Sequence, residues 1–167
     1  VLVVGMPADL LAGGSEWVRG SGSQVLVVAG GARRQDWVAN AFEEYPRRLK
    51  APMPPELEEL PQARDKARAK ADEEKRILER AGRDYLVALD EHGKSLTTLE
   101  FARQQDGRDL CFAIGGPDGL GPGVLARADL RWSLSGLTLP HAMVRVILAE
   151  ALYRAHSVLH NHPYHRE

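Results

Sequence analysis

Two rhythms of apolar residues alternate along this chain. Short unbroken runs are followed by stretches in which apolar residues return every three or four positions. QVLVVAGG, from Gln24, is a short run closed by glycines and reads as a buried strand. RQDWVANAFEEYPRRL follows with Trp37, Ala41, Phe42 and Tyr45 at helical spacing. Asp36 is placed to cap that helix and Pro46 to limit its end. PPELEELP is a weak, edge-like strand, and residues 62–83 form a charged helix with Ile77 and Leu78 as its apolar seam. DYLVALD is the next strand, EHGK a turn, and LTTLEFARQQ a short helix. DLCFAIGG is a further strand, GPDGLGP a turn, GVLARAD a brief helix, and LRWSLSGLTL the last strand. PHAMVRVILAEALYRAHSVLH is a long helix with Pro140 in its first turn, where a missing N–H costs nothing. Apolar residues cover most of its circumference, which predicts burial all round.

Strands alternating with helices predict an α/β fold, a parallel sheet of five to six strands flanked by helices on both faces. Ligands bind such sheets beyond the carboxyl ends of the strands, which directs attention to the loops after Ile114 and Leu137. At the N-terminus, VLVV occurs at Val1–Val4 and again at Val25–Val28, each followed by an acidic-Trp-Val step. The unequal spacing makes this a degraded duplication or a coincidence. Residues 1–23 are read as an extension, either disordered or a partial duplication, and residues 24–167 as the domain.

The chain's 167 residues, 44% hydrophobic and 27% charged, suffice for one globular domain. A net charge of -1 argues against a generally basic nucleic-acid coat, so any polyanion must meet a local patch. The single cysteine, Cys111, allows neither an intrachain disulfide nor a cysteine-based zinc site, which suits a reducing cytosol. Its strand context favours core packing over nucleophilic chemistry. No apolar run approaches the ~20 residues that cross a bilayer, and the opening segment lacks the features of a signal peptide. These observations make a cytoplasmic location the expectation.

Three stretches carry candidate chemistry. In IGGPDGLGPG, Gly115 and Gly116 follow a strand directly, so the backbone can approach a ligand closely. The stretch matches neither a phosphate loop nor a dinucleotide fingerprint. In WSLSGLTLPH, Ser133, Ser135 and Thr138 alternate with leucines; backbone groups there could meet an adenine edge while Leu134, Leu137 and Leu139 line an apolar slot. A half-buried strand with a wet face gives the same pattern. The third stretch, HNHPYHRE, holds three of the six histidines. His160, His162 and His165, with or without His156, could bind a metal if the segment folded back, Tyr164 could stack on a base, or the segment is a polar end.

Taken in order, IGGPDGL, SLSGLTLPHAMVRVILAEALYRA and NHPYHRE closely resemble the RlmH family, the large-subunit (23S) rRNA pseudouridine N3-methyltransferases. DWVANAFEEYPRRL, EKRILERAG and ALDEHGK extend the resemblance upstream. It implies a fold of the SPOUT class, with the C-terminal part of the sheet tied in a deep trefoil knot, an exception to the rule against threaded chains. It implies S-adenosylmethionine as cofactor, held by Leu89, Gly115 and Gly116 and by the stretch Leu134, Ser135, Gly136, Leu137, Thr138 and Leu139. It also implies a homodimer acting on a pseudouridine of the large-subunit rRNA within the assembled ribosome, and no membrane. The chain departs from the family in a shortened segment near Ala102–Gln105 and in its N-terminal extension.

The implied reaction is an in-line attack by pseudouridine N3 on the methyl group, in which positioning supplies much of the rate. An acceptor for the N3 proton should help. His165 is the first candidate, since an imidazole titrates at about pH 6.5, and Glu150 the second. Arg154 and Arg166 would hold phosphates and Tyr164 would stack on the base. Two other readings remain open at this level: a non-catalytic ribosome-binding protein of the same fold, and a metal-dependent hydrolase using the C-terminal histidines.

Overall fold

A computed structural model describes residues 2–3, 25–29, 36–48, 58–60, 65–104 and 109–165. In chain order the elements are β1 (Leu2–Val3), β2 (Val25–Ala29), α1 (Asp36–Arg48), β3 (Glu58–Glu59), α2 (Lys66–Ala81) and β4 (Tyr85–Ser95), followed by α3 (Thr98–Gln104), β5 (Leu110–Ile114), α4 (Pro122–Arg127), β6 (Leu130–Ser133) and α5 (His141–Leu159). The strands are ordered β1-β3-β2-β5-β4-β6. Strands β2, β5, β4 and β6 are mutually parallel, and β5 pairs along its whole length with β2 on one side and β4 on the other. A single pair, Ala29 with Glu59, sets β3 parallel to β2. The two-residue β1 adds to β3 antiparallel, so Leu2 and Val3 of the N-terminal segment join the sheet edge.

Side chains alternate between the two faces of a strand, and β5 shows how this divides the core. Leu110, Phe112 and Ile114 pack with Phe42 of α1, Phe101 of α3 and Leu148 and Leu152 of α5. Cys111 and Ala113 pack with Ile77 and Ala81 of α2 and Val124 of α4. All five β5 residues are buried, which explains why an unbroken apolar run became the interior strand. Each large side chain so buried contributes about 1.5–3 kcal/mol. On the first face, Phe101 stacks on Trp132 with centroids 4.1 Å apart. Thr97 and Glu100 start α3 with reciprocal bonds: the Glu100 N–H donates to Thr97 Oγ1 at 3.2 Å and the Thr97 N–H to Glu100 Oε2 at 2.8 Å.

Four expectations need correction. Helix α1 does not stop at Pro46 but runs on to Arg48, with Glu43–Arg47 and Glu44–Arg48 ion pairs supporting its last turn. The stretch EHGK is no turn: β4 continues to Ser95 beside β6, through an irregularity in register between Leu89 and Lys94. Conversely, the strand read through LRWSLSGLTL ends at Ser133. Beyond it Ser133 Oγ donates to the Ser135 carbonyl at 2.8 Å and the Leu137 N–H to Ser135 Oγ at 3.0 Å, local bonds that replace a ladder. Finally, α5 is not fully buried all round. Met143 is 40% exposed, and Val144, Val146, Ile147 and Ala151 are half-buried. Among the described residues no helix is long and apolar enough to cross a membrane.

Candidate active site

The middle of β4 at Leu89–Glu91, the carboxyl ends of β5 and β6 and the first turn of α5 line a cavity of about 540 Å³. Its floor follows from the glycines after β5. Gly116 and Gly119 form an isolated bridge, closed by the Gly119 N–H donating to the Gly116 carbonyl at 2.9 Å. A Cβ on Gly115 would lie 2.5 Å from the Gly119 carbonyl carbon and 2.6 Å from the Leu120 nitrogen. Only glycine allows that approach. The opposite wall is the loop after Ser133, whose leucines face the cavity; Leu137 stays 73% exposed at its mouth.

Eight of the nine residues expected to hold the cofactor line this cavity: Leu89, Gly115, Gly116, Leu134, Ser135, Leu137, Thr138 and Leu139. Gly136 does not. Sequence reasoning missed Asp90, Glu91, Asp118, Trp132 and His141, which also line it. Asp90 closes the DYLVALD run and Glu91 opens EHGK, both beside Leu89, and His141 directly follows the LTLP segment, so proximity alone points to them. Burial opposes the Asp90 carboxylate, but hydrogen bonds from Arg131 and the His92 N–H outweigh it and hold its pKa below the usual range. Arg131 Nε donates to it at 2.8 Å. Burial pulls the His141 pKa below 6.5, helped by the charge of Arg145 and opposed by its hydrogen bond to the Gly115 backbone and by Glu73. Trp132 is 4% exposed, and its Nε1 has no partner among the described residues.

The residues expected to act on the substrate form a second cluster. After α5 the chain turns back at Asn161, whose φ of 53° is left-handed, and the His162 N–H donates to the Ser157 carbonyl at 2.8 Å. This lays Tyr164 on the middle of α5. Its ring meets Tyr153 edge-on at 4.3 Å, lies 4.8 Å beneath the Arg154 guanidinium, and its hydroxyl donates to Glu150 Oε1 at 3.2 Å. Arg154 Nε donates to the same oxygen at 2.8 Å. Burial raises the Tyr164 pKa, and the Glu150 charge and hydrogen bond act in the same sense. Both ring nitrogens of His165 are buried without a partner among the described residues. Arg166 lies outside the described residues. His160 stacks on His156 at 4.0 Å while His162 packs on Tyr153, and among the described residues no group of three could hold a metal ion.

Within one chain the two clusters stay apart. Val144 is the last α5 residue lining the cavity, and Glu150, Arg154, Tyr164 and His165 are not in its wall. At 1.5 Å per residue, Glu150 lies roughly 9 Å further along the helix axis.

The family model SPOUT_MTase, described as predicted SPOUT methyltransferase, matches residues 24–165. The chain belongs to this family. Among curated SPOUT relatives it is similar to "Ribosomal RNA large subunit methyltransferase H" of Methylobacillus flagellatus, 48% identical over 154 residues, covering 86% of this chain and 99% of that protein. A protein of the same name from Alkalilimnicola ehrlichii is 46% identical over 153 residues, covering 86% and 99%. Among solved structures there is a likeness to the SpoU methyltransferase AviRb from Streptomyces viridochromogenes in complex with AdoMet, at 21% identity and a TM-score of 0.41, covering 84% of this chain and 51% of that one.

Proposed function

We propose that this SPOUT protein is an S-adenosylmethionine-dependent methyltransferase that methylates N3 of a pseudouridine in large-subunit (23S) rRNA, on the assembled ribosome and as a homodimer. The observation that carries the reading is the cavity between the middle of β4 and the carboxyl ends of β5 and β6, in a chain whose curated relatives are named rRNA methyltransferases. The cavity fits the cofactor. Its ~540 Å³ falls in the usual range for small-molecule sites. Leu134, Leu137 and Leu139 offer an apolar slot for adenine beside loop backbone, and the carboxylates of Glu91 and Asp118 favour a cationic ligand. When bound, S-adenosylmethionine supplies an electrophilic methyl group on a positively charged sulfur.

The chain's own residues then divide the remaining work. Glu150 orients Arg154 and Tyr164 by accepting a hydrogen bond from each. Tyr164 stacks on the base, Arg154 and Arg166 hold phosphates, and His165 takes the N3 proton. The separation of this cluster from the cavity supports the dimer, because a second copy can bring its own Tyr164–Arg166 segment to the cavity mouth. The outer side of α5 around exposed Met143 and half-buried Ile147 is a surface suited to such pairing. The knot belongs to the same proposal: loops after β5 and β6 share one cavity while α5 returns to pack on α1, α3 and β5. Mass spectrometry of rRNA from ribosomes incubated with the protein and labelled cofactor tests the activity. A labelled N3-methylpseudouridine is expected; ribosomes that stay unlabelled would overturn the assignment.

A further inference from the structure

We propose that Lys70 and Glu74 of α2 are positioning residues for cofactor binding, a two-point clasp on the loop that floors the cavity. The inference rests on the placement of S-adenosylmethionine in that cavity. Neither residue lines it. Lys70 and Glu74 are one helical turn apart, on the same side of α2, and both are half-buried while Ala71, Asp72, Lys75 and Arg76 are exposed. Lys70 Nζ donates to the Asp118 carbonyl at 2.8 Å, and Glu74 Oε2 accepts from the Gly123 N–H at 2.6 Å.

The second bond answers a local need. Gly121 stands at the N-cap of α4 and provides no side-chain cap, so the first N–H groups of that helix lack an internal acceptor. Glu74 supplies one from another element. Gly123 makes room for it, since a Cβ there would lie 2.7 Å from Glu74 Oε1. From the first anchor point to the second run Asp118, Gly119 and Leu120 in the cavity wall, then Gly121 and Pro122, and Leu125 of the wall follows within α4. Apart from the Gly116–Gly119 bridge, this stretch has no strand ladder to hold it. The clasp therefore keeps the floor in its ligand-bearing shape before the ligand arrives, which favours binding without touching the reacting atoms.

The test compares Glu74→Ala, Glu74→Gln and Lys70→Met with wild type and with Gly115→Ala, reading S-adenosylmethionine affinity by calorimetry and methyl transfer to ribosomes. Glu74→Ala should raise Kd and KM for the cofactor about five- to tenfold, and Lys70→Met about two- to fivefold, by loosening a preorganised loop. For both, kcat at saturating cofactor and KM for ribosomes should stay within about twofold, and Glu74→Gln, which keeps an acceptor, should restore affinity. Hydrogen exchange should speed up at Gly119–Gly123 in Glu74→Ala and leave β5 unchanged. Cofactor affinity within twofold of wild type in both clasp variants, or a fall in kcat at unchanged affinity, overturns the clasp. If Glu74→Ala does not fold, Lys70→Met decides by the same readouts. A wild type that binds no cofactor, or a Gly115→Ala that binds it unimpaired, overturns the cavity assignment and the clasp with it. Loss of binding in Gly115→Ala beside normal clasp variants overturns the clasp alone.

Discussion

Gly115→Ala is the sharpest probe of the cavity. The added methyl would sit 2.5 Å from one backbone atom and 2.6 Å from another, about 1 Å inside ordinary carbon contact distance. Neither neighbour is the tip of a flexible side chain. Relief requires the Gly116–Gly119 turn to shift, against its own hydrogen bond and the contacts of Lys70 and Glu74 beyond it. Overpacking of this kind costs about 1–3 kcal/mol. If the turn yields by moving into the cavity, the cost appears in the bound state, and cofactor affinity should fall about 10- to 100-fold at 1.4 kcal/mol per decade. If strain also stays in the unliganded protein, the melting temperature falls by a few degrees as well. Calorimetric titration with S-adenosylmethionine and thermal denaturation of the same preparation measure both. Gly136→Ala serves as the steric control: nothing lies within 4 Å of its Cβ, so affinity should stay within about threefold. A Gly115→Ala protein with wild-type affinity and unchanged melting would refute the reasoning.

Three further predictions concern the second cluster and pH. Tyr164→Phe removes the donor to Glu150 but keeps the ring; stability should change by less than about 1.5 kcal/mol, with cofactor affinity unchanged and methyl transfer reduced about two- to tenfold by poorer positioning of the ring, as single-turnover assays on ribosomes would register. His165→Ala should abolish the base-dependent limb of the methylation pH profile, and wild-type rates across pH would remove His165 from that role. His141 is held below its ordinary pKa of 6.5, so between these values the unfolded chain binds more protons and stability falls as pH drops. The acid side of a melting-temperature profile should accordingly flatten in His141→Gln, and an unchanged slope would count against the burial of that imidazole.

Much of the fold was legible because burial on both faces leaves a plain signal. The run LCFAI reads as a buried strand, and the structure adds the sorting of its faces, with Phe112 toward α1, α3 and α5 and Cys111 toward α2 and α4. The glycines at 115 and 116 and the leucines at 134, 137 and 139 pointed to the cavity for a physical reason: close backbone approach and an apolar wall need those residue types. Where tertiary pairing overrides local preference, the pattern misled. Gly93 in EHGK has the chemistry of a turn, yet β6 lies alongside and draws the chain on as strand to Ser95. The serines of SLSG alternate like a strand but spend their hydroxyls on neighbouring backbone. The resting place of Tyr164 depends on Tyr153 and Glu150, eleven and fourteen residues earlier, and no local pattern encodes such docking.

That docking makes the proposed dimer testable by mixing variants. On one chain the cavity ends at Val144, while Glu150, Arg154, Tyr164 and His165 gather elsewhere. If the cavity of one copy works with the Tyr164–Arg166 segment of the other, two differently damaged copies should rescue each other. Gly115→Ala spoils a cavity and leaves the segment intact; truncation after Asn161 removes the segment and leaves the cavity able to bind cofactor. Assayed with cofactor near its wild-type Kd, which leaves the Gly115→Ala cavity almost empty, each homodimer should be nearly inactive. After subunit exchange at equal concentrations about half the dimers are mixed, and each holds one cavity and one segment that are both sound, so roughly a quarter of wild-type activity should return in a two-fold symmetric pair. Recovery should follow the rate of exchange and vanish if the mixed dimers are kept from forming. No recovery, with both variants folded and the truncated one still binding cofactor, would mean that the segment serves its own subunit's cavity. In that case Tyr164 must leave Glu150 during each turnover.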